Sequence, residues 1–390
     1  METMTETKFP TAVMGSWPRS KEVLRALRDK RAGRINEEEF QAITEKASLQ
    51  ILKWQEEAGI DYVSDGEQRR DNYISFVADH LENVRMLSVS ELLDYVEDKA
   101  SFEEILGTLD VPAFSMTNPA ATGKISRKKP LVLNDFLFLK KHTDKAVKVA
   151  IPGPYLLTRS MWVEGLSENA YPTKEDLAVD IVKVLREELE DCIAAGVEFV
   201  QFDEPVLTEV VFTKKNANRT FMCGALTAKA DAEEEIAFAL SLMNQVTEGM
   251  LGRGTRIAVH VCRGNWSTED DILLRGPYFP LLPYFQHVNV DQLTLEYATP
   301  RAGEVDAIGE MGDKEIGFGV INPRTETVET VEQIVERVQE LRKFVPDEKI
   351  FLNPDCGFGT FAQRPMNSDQ IAVEKLKAIS QAAIKLREMV

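Results

Sequence analysis

The feature of this sequence that most constrains its fold is an alternation of short apolar runs with helical patterns. Each run is rich in β-branched or aromatic residues, ends in a polar, glycine or proline cluster, and most are followed by a helical repeat. The runs cover residues 8–17, 61–67, 146–155, 197–205, 256–262, 287–297, 315–323 and 349–358. Such alternation predicts an α/β fold with a parallel sheet. Eight strands favour a (βα)8 TIM barrel over an open, doubly wound sheet.

One helical stretch carries its own start and stop signals. Thr173 and Asp176 form a capping-box pattern, apolar residues then recur every four positions, and Gly196 stands where a helix C-cap belongs. The sequence therefore predicts a helix between Thr173 and Gly196, followed directly by a strand. Further helices are predicted near residues 38–58, 232–251, 326–344 and 368–388.

A long segment, residues 68–145, separates the second and third strand patterns. It is too long for a simple loop and contains a helical pattern of its own, LSVSELLDYVED. We therefore predict an insertion between strands two and three, within a single barrel domain that spans residues 1–390.

The charge of the chain narrows the classes of partner. With 46 basic and 64 acidic residues among 390, the formal net charge is −18. Such a chain repels nucleic-acid phosphates and anionic lipid headgroups, and no basic run is long enough to compensate. Neither an apolar stretch of about 18 residues nor a secretion signal is apparent. We predict no nucleic-acid partner, no membrane partner and a cytoplasmic location.

The ends of the predicted strands carry residues suited to metal chemistry. His260 and Cys262 share one face because side chains alternate along a strand. Glu296 and Cys356 end the next strand and the last one, and a closed barrel brings strand ends to one rim. One nitrogen, two sulfurs and one oxygen suit zinc. Because these residues are spread along the chain, a catalytic rather than a structural zinc is predicted.

Simpler explanations remain open for several of these residues. Cys192 and Cys223 lack polar neighbours and are predicted to be small, buried hydrophobic side chains. Glu296 also fits a salt-bridged residue at the barrel mouth. Asp203 and Glu204 also fit helix-capping acids.

The charges of this ligand set indicate a reaction class. Two thiolates and one carboxylate outweigh the charge of zinc and leave a net −1, so the zinc would be a poor Lewis acid. Such a zinc is better suited to hold a substrate thiol as a nucleophilic thiolate. The pattern therefore predicts alkylation at sulfur.

Six motifs are similar, in the same order, to those of one known family: GSWP, DGEQRRD, QFDEP, HVCRGN, LTLEY and NPDCGFGT. Over nearly its whole length the chain resembles the C-terminal catalytic barrel of cobalamin-independent methionine synthase, most closely the short, single-barrel members. The resemblance implies methyl transfer to homocysteine sulfur, giving methionine. It also implies four zinc ligands: His260, Cys262, Glu296 and Cys356.

The resemblance further implies that Ser16, Glu67 and Asp203 hold the amino acid part of homocysteine, with Glu67 and Asp203 as the catalytic carboxylates. Two carboxylates pair well with an α-ammonium group, and a strand-end serine with nearby backbone N–H groups can bind the α-carboxylate.

The methyl donor stays open between two classes. Long members of the family place a proton-donating His after the strand-seven glycines, where this chain has Asn322. Methyltetrahydrofolate needs its leaving nitrogen protonated, and asparagine is not a general acid. The sequence therefore favours methylcobalamin, free or on a corrinoid protein, over methyltetrahydrofolate. Trp162 falls near the position of the family's pterin-stacking aromatic residue, with core packing as the alternative.

Two other functions are compatible with the sequence. One is a zinc-dependent alkyl or epoxide transferase acting on another thiol, such as coenzyme M, whose sulfonate Arg69 or Arg70 would bind. The other is a noncatalytic zinc-binding barrel.

Overall fold

Parallel strands form the central sheet of the protein. The computed structural model describes residues 7–92, 94–95, 117–212, 231–265, 267–268 and 273–390. In chain order its strands are β1 (Tyr62–Val63), β2 (Val84–Ser88), β3 (Thr117–Ala121), β4 (Ala146–Pro152), β5 (Phe199–Asp203), β6 (Arg256–Val261), β7 (Gln292–Leu295), β8 (Glu315–Ile321) and β9 (Ile350–Pro354). Seven of them pair in parallel in the order β1-β4-β5-β6-β7-β8-β9. Each of these seven lies within a run predicted from the sequence.

The first predicted strand, residues 8–17, contributes only a short stretch to the sheet. Ala12 donates its N–H to Leu352 O of β9 (2.9 Å) and forms a parallel bridge with Tyr62 of β1. Positive φ angles at Phe9 (51°) and Gly15 (152°) limit the extended backbone on either side. The prediction of a full strand over residues 8–17 was therefore wrong. Hydrogen bonds nevertheless link β9 to β1 through this segment, as expected for the predicted (βα)8 barrel.

Helices follow most strands of the parallel sheet. In chain order the α-helices of the described residues are α1 (Lys21–Arg31), α2 (Glu37–Glu57), α3 (Val89–Leu92), α4 (Leu133–Lys140), α5 (Pro154–Met161), α6 (Lys174–Ala195), α7 (Val206–Phe212), α8 (Ala232–Thr247), α9 (Leu282–His287), α10 (Val331–Leu341) and α11 (Asp369–Glu388). The capping box of α6 is confirmed: Thr173 Oγ1 accepts from Asp176 N–H (3.2 Å), and the Asp176 carboxylate accepts from Thr173 N–H (3.0 Å). Gly196 ends α6 at a φ of 80°.

The segment between β1 and β4 has secondary structure of its own. β2 and β3 pair antiparallel in a separate two-stranded sheet, and α3 and α4 lie in the same part of the chain. Part of the predicted insertion, residues 93 and 96–116, lies outside the described residues, so its boundaries stay a prediction. Among the described helices, none combines the length and apolar character needed to span a bilayer.

Alternation along the strands separates two packing environments. A small buried cluster joins five side chains of the sheet: Ala12, Tyr62, Phe199, Ala258 and Phe351. The much larger apolar core includes helix residues such as Leu185 of α6 and Leu376 of α11. Along β5, Gln201 and Asp203 follow Phe199 on the same face because strand side chains have a period of two. This face therefore becomes polar toward the carboxyl end of the strand.

Candidate active site

A pocket lies where the parallel strands end. It measures about 500 Å³ counted to its mouth. Six of the seven site residues predicted from the sequence line it: Ser16, Glu67, Asp203, His260, Cys262 and Cys356. The seventh, Glu296, is fully buried just beyond the end of β7. Strand ends far apart in sequence thus meet at one place, as a parallel barrel requires.

His260, Cys262 and Cys356 form a compact group of possible metal ligands. One ligand atom from each lies within 4.8 Å of the others, and all three side chains are buried. His260 Nδ1 lies 3.1 Å from Thr294 O and donates to it, because a carbonyl only accepts. That contact leaves Nε2, 3.6 Å from Cys356 Sγ, facing the sulfur atoms. Hydrogen bonding from Cys356 lowers the pKa of Cys262 well below its usual value.

Arginines surround the Glu296 carboxylate. Its Oε2 accepts from Arg263 N–H (2.9 Å), while Oε1 bonds the Arg301 guanidinium and lies 3.6 Å from Arg324. Burial alone would raise the pKa of Glu296, but the charges of Arg301, Arg324 and Arg263 lower it to about 2. The structure therefore shows the salt-bridged arrangement that the sequence left open. Metal coordination by Glu296 stays a prediction.

Glu67 is held in an unusual backbone conformation. Its φ is 55°, a left-handed value that non-glycine residues rarely adopt, and its N–H donates to Asp65 (3.0 Å). A Cβ at Gly15 would overlap Glu67 Oε1, so this position needs glycine. Burial raises the pKa of Glu67 against the opposing charge of Arg70, which lies 3.8 Å away. Strain of this kind is often found at functional sites.

Asp203 is the second carboxylate of the pocket. Gln201, two residues earlier on the same face of β5, donates from Nε2 to Asp203 Oδ1 (2.7 Å). Burial raises the pKa of Asp203 to about 6, against the opposing charge of His260. A buried cation, Lys148, donates to Val13 O (2.8 Å), and burial lowers its pKa to about 7.

A buried arginine fixes the loops around the pocket. Arg19 donates to the carbonyls of Trp17 (3.1 Å), Glu67 (2.9 Å), Arg70 (3.0 Å) and Gly359. These carbonyls belong to the loops that carry Ser16, Glu67 and Cys356. One guanidinium therefore ties the two carboxyl-terminal loops of β1 and β9 to the start of the chain.

Sequence reasoning missed several residues of the pocket wall: Met14, Tyr73, Gln201, Asn265 and Thr360. For two of these residues a signal was present. Gln201 precedes Asp203 by two positions, and Asn265 follows Cys262 in the HVCRGN motif. Tyr73 and Thr360 stand in loops, where periodicity gives no information.

Two residues considered in connection with the methyl donor do not line this pocket. Asn322 Oδ1 accepts from Arg324 N–H (3.0 Å), and its own N–H donates to Glu329 (2.8 Å), beside a separate pocket near α10. Trp162 donates from Nε1 to Tyr171 O (3.0 Å) and packs against the apolar core. For Trp162 the structure shows the core-packing alternative.

Other candidate residues have structural partners. Glu204 accepts from the N–H groups of Tyr155 (2.8 Å) and Leu156 (2.9 Å), so the capping alternative holds for Glu204. Arg69 pairs with Asp135 and with Glu45 (3.2 Å).

The two remaining cysteines differ in what the structure reveals. Cys192 is fully buried in the core, and burial raises the pKa of its thiol, as expected for a hydrophobic role. Cys223 lies outside the described residues.

Comparison with known proteins identifies the family. The family profile described as "Cobalamin-independent synthase, Catalytic domain" matches residues 9–384. The chain belongs to the cobalamin-independent methionine synthase family. It is 29% identical over 351 residues to the methionine synthase of Pyrococcus horikoshii, covering 90% of this chain and 86% of that one. Against the methionine synthase of Pyrococcus furiosus it is 28% identical, with 97% and 93% covered.

Two solved structures share the fold over almost the whole chain. One is a B12-independent methionine synthase from Shewanella sp. W3-18-1 in complex with selenomethionine, with a TM-score of 0.73, 24% identity and 98% of both chains covered. The other is a putative vitamin-B12 independent methionine synthase from Listeria monocytogenes, with a TM-score of 0.68, 20% identity and 97% and 98% covered. The family resemblance of the six sequence motifs is confirmed.

Proposed function

We propose that this protein is a zinc-dependent methyltransferase that methylates the sulfur of homocysteine to give methionine. The observation that carries the proposal is one pocket holding both a His260, Cys262 and Cys356 group and the paired carboxylates Glu67 and Asp203. The His and Cys side chains are suitable ligands for a metal that binds a thiol. The two carboxylates are suitable partners for the ammonium group of an amino acid. We also propose that residues 1–390 form one barrel domain, with the insertion at 68–145.

The donor set fits zinc. Two sulfurs and one imidazole nitrogen within 4.8 Å, all buried, are the ligand types and the number that a catalytic zinc uses when it keeps one position for substrate. Zinc held there would keep the homocysteine thiol as a thiolate at neutral pH. Glu296 is the candidate fourth ligand, and reaching the metal would require it to give up contacts with Arg301 or Arg324.

The structure adds positive charges to the charge count that was made from the sequence. That count assigned a net −1 to zinc and its four ligands, but Arg301 and Arg324 lie against Glu296 and offset that charge. A less negative surrounding stabilises an additional thiolate, because the incoming sulfur adds one negative charge. The arginines therefore favour the ionised form of the acceptor.

The carboxylates would orient the substrate. Glu67 is buried and Asp203 is partly buried, and loss of solvation raises the pKa of both, so each is stabilised by a cation that enters the pocket. The α-ammonium of homocysteine supplies such a cation. Ser16 stands next to Gly357 in the same pocket and would donate to the α-carboxylate. These contacts would place the sulfur toward Cys262 and Cys356.

We keep methylcobalamin, free or on a corrinoid protein, and methyltetrahydrofolate as candidate donors. Asn322 bonds the Arg324 N–H group and the Glu329 carboxylate near α10, and an asparagine is not an acid, so it offers no proton to the pocket. Because Asn322 lines a separate pocket, both donors remain compatible with the residues around the metal group.

Methionine formation by the zinc-loaded protein tests the proposal. Homocysteine would be supplied in parallel with methylcobalamin and with mono- and polyglutamate methyltetrahydrofolate. We expect Cys356→Ser to be inactive. The matched control is Cys192→Ser, which changes a cysteine of the core. Turnover with either donor that Cys356→Ser abolishes and Cys192→Ser retains would support the proposal and identify the donor.

Two results would count against it. If the protein binds zinc but not homocysteine, another thiol, such as coenzyme M, would be the better candidate substrate. Tight zinc whose coordination is unchanged by any thiol would indicate a noncatalytic zinc-binding barrel.

A further inference from the structure

The two cysteines of the metal group come from strands that are not neighbours. Cys262 follows β6 and Cys356 follows β9, and β7 and β8 separate these strands in the sheet. Direct strand pairing therefore does not set the distance between the two sulfurs. The loops that carry them need a connection across the mouth of the barrel.

Asn265 makes such a connection. It lies three residues after Cys262 and is 3% exposed. Its Nδ2 donates to Gly357 O (2.8 Å), in the residue after Cys356, and to Thr360 Oγ1 (2.7 Å). The orientation of the amide is settled by Gly357, because a carbonyl only accepts a hydrogen bond. Both N–H groups of the Asn265 amide thus bind the loop that carries Cys356.

The loop after β9 is also held by residues near the start of the chain. A Cβ on Gly357 would overlap Ser16 Oγ, which shows how closely the two residues pack. Arg19 donates to Gly359 O. Ser16 and Arg19 thus fix this loop to the start of the chain, and Asn265 is what fixes it to the loop of Cys262.

We propose that Asn265 is a positioning residue that holds Cys262 and Cys356 at the separation a single metal ion requires. The proposal rests on the zinc site of the proposed function. Without Asn265, the loops would have to be ordered when the metal binds, and that ordering weakens affinity. Residues that orient metal ligands typically change metal affinity by roughly 10- to 100-fold when they are replaced.

Metal affinity of the full chain tests the proposal without any thiol or methyl donor. Zinc affinity would be measured by competition with a chelator, and ligation by the thiolate absorption of the cobalt(II)-loaded protein. We expect Asn265→Ala to weaken zinc binding roughly 10- to 100-fold. Asn265→Asp should weaken it more, because it sets a carboxylate oxygen against Gly357 O. Thr360→Val, which removes one of the two acceptors, should have a smaller effect than Asn265→Ala.

Asn367 provides a matched control. It is also buried, and its Nδ2 donates to Pro323 O (2.6 Å) and Thr325 O (2.9 Å). Asn367 therefore ties the far end of the β9–α11 connection to the segment after β8, and not to the loop of Cys262. Asn367→Ala should lower thermal stability as Asn265→Ala does, yet keep zinc affinity within about 2-fold of the wild type.

The outcomes separate the two proposals. Equal zinc affinity in the wild type and Asn265→Ala, or equal weakening by Asn367→Ala, would overturn the role of Asn265 alone. Failure of the wild type to bind zinc would overturn the proposed function itself. If Asn265→Ala does not fold, the zinc affinities of Thr360→Val and Asn367→Ala are compared instead. Weaker binding by Thr360→Val supports the role of Asn265, and equal or stronger binding overturns it.

Discussion

Replacing Asp203 with asparagine tests whether this carboxylate holds the substrate ammonium group. The change removes one negative charge and keeps the shape of the side chain. Gln201 Nε2 donates to Asp203 Oδ1 (2.7 Å), and in Asp203→Asn this donor would keep the amide oxygen on its own side. The amide NH2 group would then face the ammonium, so that a donor meets a donor. Glu67 would remain as an acceptor, so binding should weaken rather than disappear.

The expected loss follows from the kind of contact removed. A hydrogen bond to a charged group contributes about 1.5–3 kcal/mol, and about 1.4 kcal/mol corresponds to a tenfold change in affinity. We therefore expect Asp203→Asn to weaken homocysteine binding about 10- to 100-fold. Binding of 4-sulfanylbutanoate, which has the same thiol and carboxylate but no amino group, should hardly change.

Isothermal titration of the zinc-loaded protein with both ligands measures this difference directly. Asp369→Asn is the control, since Asp369 is a partly buried aspartate that accepts from Trp17 Nε1 (2.8 Å) outside the pocket lining. It should leave both affinities unchanged. If Asp203→Asn weakens the two ligands equally, the variant has disturbed the pocket as a whole and the assignment of Asp203 to the ammonium group is refuted.

Further predictions concern pH, packing, capping and the core cysteine. The preference of the wild type for homocysteine over 4-sulfanylbutanoate should grow from about pH 5 to pH 7, because burial raises the Asp203 pKa to about 6 and only the ionised form attracts ammonium; a titration flat over this range would contradict it. Gly357→Ala should lower the free energy of unfolding by about 1–3 kcal/mol through overlap with Ser16, and adding Ser16→Gly should restore much of the loss in a denaturant titration. Thr173→Ala removes a helix cap and should cost about 1 kcal/mol of stability, with methyl transfer unchanged in the activity assay. Cys192→Ala should reduce stability by about 1 kcal/mol or more, yet leave the zinc content measured by mass spectrometry equal to that of the wild type.

The sequence by itself determined the elements whose signals are local. The helix α6 begins at the capping box of Thr173 and ends at Gly196 because the bonds that start and stop a helix join residues a few positions apart. The shared face of His260 and Cys262 follows from the period of a strand. Strand–helix alternation likewise predicted all seven strands of the parallel sheet, since each must be buried by the helices beside it.

Only the tertiary structure decided which distant residues meet. Glu296 pairs with Arg301 and with Arg324, 28 positions later in the chain, and no spacing rule predicts that contact. Asn265 bonds Gly357 across 92 positions for the same reason. The length of the first strand also depended on packing, because Gly15 leaves the extended conformation where Glu67 Oε1 approaches its backbone. Periodicity describes one element at a time, whereas charges and close contacts between loops are set by how the parallel sheet brings strand ends together.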